Sequence, residues 1–153
     1  MSPRNAVDTL GGLLAIVRDG ERFYLDAAGR VEDAALAALF VRIAAAKSAL
    51  MARLEETVHA AGGEPAGQGT LSGSLRQGYA RLRAALGDRD HRYVVELEAL
   101  EEHLQQAFEA VAADPRTPDA ARDAVLRVLP DVRAAREVIH QRRRLMEHPP
   151  PAG

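Results

Sequence analysis

The chain contains no cysteine and no tryptophan. The first absence removes disulfides, thiol catalysis and thiolate metal sites, and leaves the redox compartment open. Aromatic residues are scarce, at 4%, so a core has to be built from Ala, Leu, Val and Ile, which suits close-packed helices. Charge of one sign is also missing: the formal net charge is −2, which gives no strong electrostatic pull on nucleic acid or anionic lipid. The N-terminal stretch "MSPRNAVDTL" lacks the basic-then-apolar layout of a signal peptide. No apolar run approaches the length of a membrane span. These absences lead to the expectation of a cytoplasmic protein that engages neither nucleic acid nor membrane. No segment shows the alternation of a β-strand.

What is present is helical periodicity in 153 residues, enough for one domain with one sizeable core. The first long helix is expected from about Asn5 to Ala28, with Leu10, Leu13, Leu14, Val17, Tyr24 and Ala28 on one face. Gly29 breaks it and Asp33 caps the second, whose stripe includes Leu36, Phe40, Ile43, Leu50, Leu54 and Val58. That helix ends at "GGEP", where Gly62 suits a left-handed residue and Pro65 blocks continuation. The Gly/Ser-rich "AGQGTLSGSL" then reads as a loop, followed by a shorter helix over about Leu71 to Leu86. Asp88 or Asp90 caps a third long helix carrying Tyr93, Leu97, Leu100, Leu104 and Phe108 inward. In "DPRTPD", Thr117 is expected to cap the fourth long helix with Pro118 in its first position. That helix buries Val125, Leu129, Val132, Ile139 and Met146. The domain is expected to cover 1–148, with 149–153 a disordered tail.

Tight turns join the first helix to the second and the third to the fourth, so each pair is antiparallel. A helix of about 28 residues is about 42 Å long. The linker between the pairs can run back along that length and start the third helix at the far end. Two antiparallel hairpins joined by one long crossover, here containing an extra short helix, make an all-α, ferritin-like four-helix bundle. The stretches "RDGERFYLDAA", "LAALFVRIAAAK" and "GGEPAGQGTLSGSLRQGY" resemble a bacterial family of ferritin-like four-helix bundles catalogued as a domain of unknown function. The resemblance runs from roughly Asp8 to His140 and is most specific from Gly62 to Tyr79. This chain has Gly78-Tyr79 where such proteins usually carry Gly-Trp. The resemblance implies the fold and no reaction.

Two copies of Glu-x-x-His, "ETVH" at 56–59 and "EVIH" at 137–140, raise the question of a dimetal centre. Such a site takes a Glu from each of two helices and Glu-x-x-His from each of the other two. The residue types exist: Glu21, Glu56 with His59, Glu101 or Glu102, and Glu137 with His140. Their phase is wrong, because Glu56 and His59 fall about 140–160° from the centre of their apolar stripe, on the solvent side. Glu137 is about 140° off its stripe and His140 about 80°. Their level is wrong too, since Glu21 and Glu56 lie about 20 Å apart along the axis and Glu102 and Glu137 about 10 Å. The two motifs read as surface spelling, and no metal or other cofactor is expected.

The stripes contain a charge instead. Lys47 falls between Ile43 and Leu50, near the centre of its helix's apolar face, and Glu21 falls between Val17 and Tyr24 on the facing helix. A buried charge is costly unless paired. The two are offset by about 6 Å along the axis and lean towards each other. Glu101 can join from the third helix. Glu21, Lys47 and Glu101 therefore form the candidate buried polar cluster, with an ammonium where related bundles hold cations. The alternative is a loose bundle in which Lys47 snorkels to water.

Other candidates carry less. "QRRRL" at 141–145 complements a helix C-terminus and has no aromatic interleaving for nucleic acid. "GQGTLSGS" lacks the Gly-Lys-Ser/Thr ending of a phosphate loop. His91, His103 and His148 show no cluster spacing, and no Ser-His-Asp or Cys-His arrangement can be built. The functional expectation is a non-enzymatic bundle that acts by association with itself or a protein partner. The alternative is a ferritin-like dimetal protein or oxidase.

Overall fold

The computed structural model describes residues 3–63 and 88–151. They form four helices: α1 (Pro3–Ala28), α2 (Ala34–Ala60), α3 (Arg89–Ala113) and α4 (Asp119–Glu147). The expected short helix over 71–86 and most of the Gly62–Tyr79 stretch lie outside the described residues.

α1 packs against α2, and α3 against α4, as two antiparallel hairpins. Lesser seams join α2 to α4 and α1 to α3, so α2 and α3 sit on a diagonal of the bundle. Each turn is built by its own residues. Asp33 is the N-cap of α2, its carboxylate accepting from the Ala35 and Leu36 amides. Gly62 follows α2 at φ +81°, the left-handed region that a side chain disfavours.

Asp88 and Asp90 were alternative caps in the sequence, and the structure separates their roles. Asp88 caps α3 by accepting from the His91 amide at 3.2 Å. Asp90 instead accepts from the Glu32 and Asp33 amides of the first turn, both at 2.9 Å. That bond places the start of α3 beside the α1–α2 turn, while α2 ends at the opposite end with Val58 near Phe108 and Ala121. The end of α2 and the start of α3 therefore lie at opposite ends of the bundle.

Two expectations need correction. Thr117 does not cap α4: Pro118 holds the N-cap position, and the Thr117 hydroxyl donates backwards to the Val111 carbonyl at 2.7 Å. The carbonyls at the end of α3 lack helical partners, and a neighbouring hydroxyl satisfies one of them. The second concerns α2, which is long and apolar enough to cross a bilayer by length and composition, although less than half of its most apolar stretch is buried. Its alanines add to the Leu, Ile and Val of the stripe to give that apolarity.

The core forms two apolar clusters. One gathers Leu10, Leu14, Leu54, Phe108 and Val125 towards the α3–α4 turn. The other gathers Tyr24, Phe40, Tyr93, Leu97 and Ile139 towards the α1–α2 turn. On every helix the division falls at one level: Val17 and Tyr24 on α1, Ala44 and Leu50 on α2, Leu100 and Leu104 on α3, Val132 and Ile139 on α4 belong to different clusters.

Asp90 ties the second hairpin to the first turn, so Asp90→Ala is expected to cost about 1–2 kcal/mol by removing two charge-assisted bonds. Urea denaturation checks it, and a midpoint unchanged from wild type would show that the turn holds without the carboxylate.

Candidate functional site

The level that divides the core is polar. Lys47 of α2 is 4% exposed and Glu101 of α3 is fully buried. The Lys47 ammonium donates to Glu101 Oε2 at 3.0 Å, and Oε1 lies against the same ammonium as an ionic contact. Because α2 and α3 are diagonal, the pair reaches through the middle of the bundle, a span that two long side chains can cover and short ones cannot.

α1 makes room for it. A Cβ on Gly20 would lie 3.4 Å from both Lys47 Cδ and Leu100 Cδ2, in contact with the lysine stem, so a longer side chain there would run into it. Tyr24, one turn further on, puts its ring 5.5 Å from the ammonium in a cation–π arrangement. The ring is held edge-on to Phe40 at 5.7 Å between centroids. The Tyr24 hydroxyl is buried and finds no hydrogen-bond partner among the described residues. Burial pushes its pKa well above the ordinary tyrosine value, and the Glu101 charge pushes it further. A neutral phenol thus faces a closed ion pair.

Of the three residues singled out in the sequence, the structure brings Lys47 and Glu101 together and leaves Glu21 half-buried on the flank of α1. Gly20 holds the position in line with Val17 and Tyr24 that Glu21 was expected to hold. Positions 20 and 21 both fit helical spacing between those neighbours, and a glycine offers no side chain for a pattern to count. The snorkelling alternative for Lys47 does not describe a side chain at 4% exposure.

The metal candidates lie apart. Glu56, His59 and Glu137 are exposed. Glu102 takes a bond from Arg136 at 3.1 Å. His140 is half-buried with Nδ1 2.6 Å from Glu98 Oε1. Among the described residues no group of three or more His, Asp or Glu side chains is placed to hold one ion.

That last contact belongs to a seam the sequence did not reveal. Glu98, 8% exposed, also accepts from Arg143 at 3.0 Å. Arg143 turns to Glu147 at 2.8 Å, and Glu147 meets His91 at 2.8 Å. Further along, Arg133 reaches Glu109 at 3.2 Å. Burial raises the Glu98 pKa, but hydrogen bonds from His140 and Arg143, with their charges, outweigh it and leave the carboxyl below its ordinary value. Hydrogen bonds from Arg143 and His91 pull Glu147 down to about 2.

The opposite seam, between α2 and α4, is different in kind. It opens into a groove of about 590 Å³ walled by Leu39, Ile43, Ala46 and Ala49 on one side and Ala134 and Val138 on the other. Val138 is 43% exposed. At one end Arg53 is paired with Asp131 and donates to the Arg127 carbonyl at 3.3 Å. Pro130 sits inside α4 and removes one backbone donor from that stretch, so the guanidinium supplies hydrogen bonding beside the break. At the other end stands Arg42, which has no ion-pair partner among the described residues. The groove was not anticipated from the sequence; the alanines on the outward face of α2 are the signal that points to it.

These features define an all-α, four-helix protein made of two packed hairpins. The chain belongs to the family described as "Domain of unknown function (DUF2383)", which matches residues 5–114. The match takes in Gly20, Tyr24, Lys47 and Glu101, and ends at the turn before α4. No curated protein and no solved structure matches the chain.

Two predictions follow from this geometry. Lys47→Met leaves the Glu101 carboxylate buried alone and is expected to cost about 3–5 kcal/mol. Lys47→Met with Glu101→Leu should recover most of that, a coupling of roughly 1–3 kcal/mol in a double-mutant cycle. Glu21→Gln should be close to neutral. Denaturant melts of the wild type, Lys47→Met, Glu101→Leu, their double mutant and Glu21→Gln decide it, and additivity within about 0.5 kcal/mol would retire the pair as a coupled unit.

The second concerns pH. A carboxylate whose pKa is depressed by folding stabilises the protein above its unfolded pKa, and that stability is lost as pH falls through the folded value. For Glu147 the window runs from 4.5 down to about 2, and Glu98 adds to it in the same direction. Glu98→Gln with Glu147→Gln should melt lower than wild type above about pH 5 and show a flatter decline on acidification. Parallel acid profiles of the two proteins would contradict the assignment.

Proposed function

We propose that this protein is a non-enzymatic, ferritin-like bundle that acts by association, and that the α2/α4 groove is the surface it uses. The ferritin-like reading is supported by the two antiparallel hairpins and by the end of α2 and the start of α3 lying at opposite ends of the bundle. The groove carries the association reading. It is apolar, it is open, and it lies along a helix whose most apolar stretch is less than half buried. Contiguous apolar surface of this kind on a soluble chain marks a binding surface, and a groove between two helices suits helical side chains inserted at i, i+3, i+4 and i+7.

The dimetal alternative has less behind it. The polar level inside the bundle is taken by the Lys47 ammonium, already neutralised by Glu101, and no group of side chains among the described residues is placed to hold an ion. The buried Tyr24–Lys47–Glu101 group has no opening to a substrate, since all three side chains are at or below 4% exposure.

A photo-crosslinking amino acid placed at Ala49 in the cell is expected to give discrete protein adducts, whatever the partner. The same probe at the exposed Gln106 of α3 is expected to give none. If Ala49 yields no adduct above the Gln106 background, the groove is not an association surface.

A further inference from the structure

We infer that the occupant of the α2/α4 groove is a second copy of this chain, laid across it end over end. The inference rests on the association reading and names the partner of that same surface.

The argument is one of charge placement along the groove. On α2, Arg42, Ala46, Ala49 and Arg53 recur at spacings of four, three and four, so all four lie along one edge of the groove. Arg42 and Arg53 are about 16 Å apart along the helix. The two ends are not alike. The Arg53 end carries Asp131, an exposed carboxylate already facing one guanidinium. The Arg42 end carries a guanidinium with no ion-pair partner among the described residues.

A partner that fits must bring a carboxylate to Arg42 and can accept a guanidinium at Asp131. A second copy turned end over end does both. The two-fold axis passes beside the Ala46–Ala49 midpoint, and each Arg42 then reaches the opposite copy's Asp131, which becomes shared between two guanidiniums. The same operation sets alanine against alanine in the middle, where small side chains let two helices approach closely. A copy lying parallel instead would leave Arg42 unmatched, which selects the reversed arrangement.

The size of the surface sets the strength. The stretch from Leu39 to Arg53 is about 21 Å long, and two helix widths span about 20 Å, giving on the order of 400 Å² per copy. That is roughly half of what a standard interface buries on each partner. Self-association on the order of 10–100 μM is therefore expected, reversible and centred on the groove.

Sedimentation equilibrium of the full chain, from about 1 μM to about 1 mM, reads the dimer directly. Arg42→Asp and Asp131→Arg each put like charges at both ends of the reversed pair, and each alone should weaken association by about tenfold or more. Mixing the two variants restores opposite charges at both contacts, so the mixture should dimerise to within about threefold of wild type. Both positions are exposed, and far-ultraviolet dichroism confirms that each variant is folded. A wild-type chain that stays monomeric at about 1 mM overturns the inference, and so does a dimer indifferent to both swaps or not restored by mixing. Ala49 adducts of a different protein, with a monomeric wild type, would keep the association reading and remove the second copy from it.

Discussion

The arrangement of this bundle hangs on one ammonium and one carboxylate meeting across its diagonal. Lys47 and Glu101 belong to different hairpins, and the backbones of the helices that carry them do not approach each other. Burying the pair gains little net stability, because the desolvation of both ions offsets their attraction. Its effect is on register. If either hairpin slid by one helical turn of about 5.4 Å, one ion would face apolar side chains with no counter-charge. The apolar clusters on either side tolerate sliding, since leucine against leucine is much the same one turn on. The polar layer does not.

The two outer seams of α4 show how one helix can present opposite chemistry to its neighbours. Towards α3 it offers Arg133, Arg136, His140 and Arg143, each answered by a glutamate. Towards α2 it offers Ala134, Ala135 and Val138. Exposed ion pairs contribute modestly one at a time, but a series of them along one seam adds to the apolar packing that already holds the hairpin. Among the described residues the alanine seam lacks such stitching except at Arg53, which joins α2 to α4 beside the proline. One side is therefore complete in water and the other is left with apolar surface exposed.

Much of the fold was legible because helix periodicity and capping are local. The four long helices, the Asp33 cap and the pairing into hairpins follow from spacing and turn residues. The burial of Lys47 was legible too, since a lysine in the middle of an apolar stripe is conspicuous. Its partner was harder, because the choice between Glu21 and Glu101 depends on a rotation of α1 by one residue that Gly20 leaves unmarked. Asp90 and Thr117 were misread or undecided for a related reason: each spends its side chain on a backbone group of a different element, which a cap rule confined to one helix does not contain. The ion pairs between α3 and α4 are likewise contacts between residues 24 to 56 positions apart.

The missing side chain at Gly20 has a consequence for how this sequence can drift. A lysine at 47 is harmless only while 101 is acidic and 20 carries nothing longer than a methyl group, and a carboxylate at 101 is harmless only while 47 is cationic. Each of the three is a poor choice by itself: a glycine inside a helix, a lysine in a core, a glutamate with no water. No single exchange leads from this centre to an ordinary leucine-filled one without passing through a chain that is worse than either. Lineages that carry a side chain longer than alanine at position 20 should therefore carry a shorter residue at 47. Lys47 and Glu101 can be exchanged together at little loss, and neither can be exchanged alone.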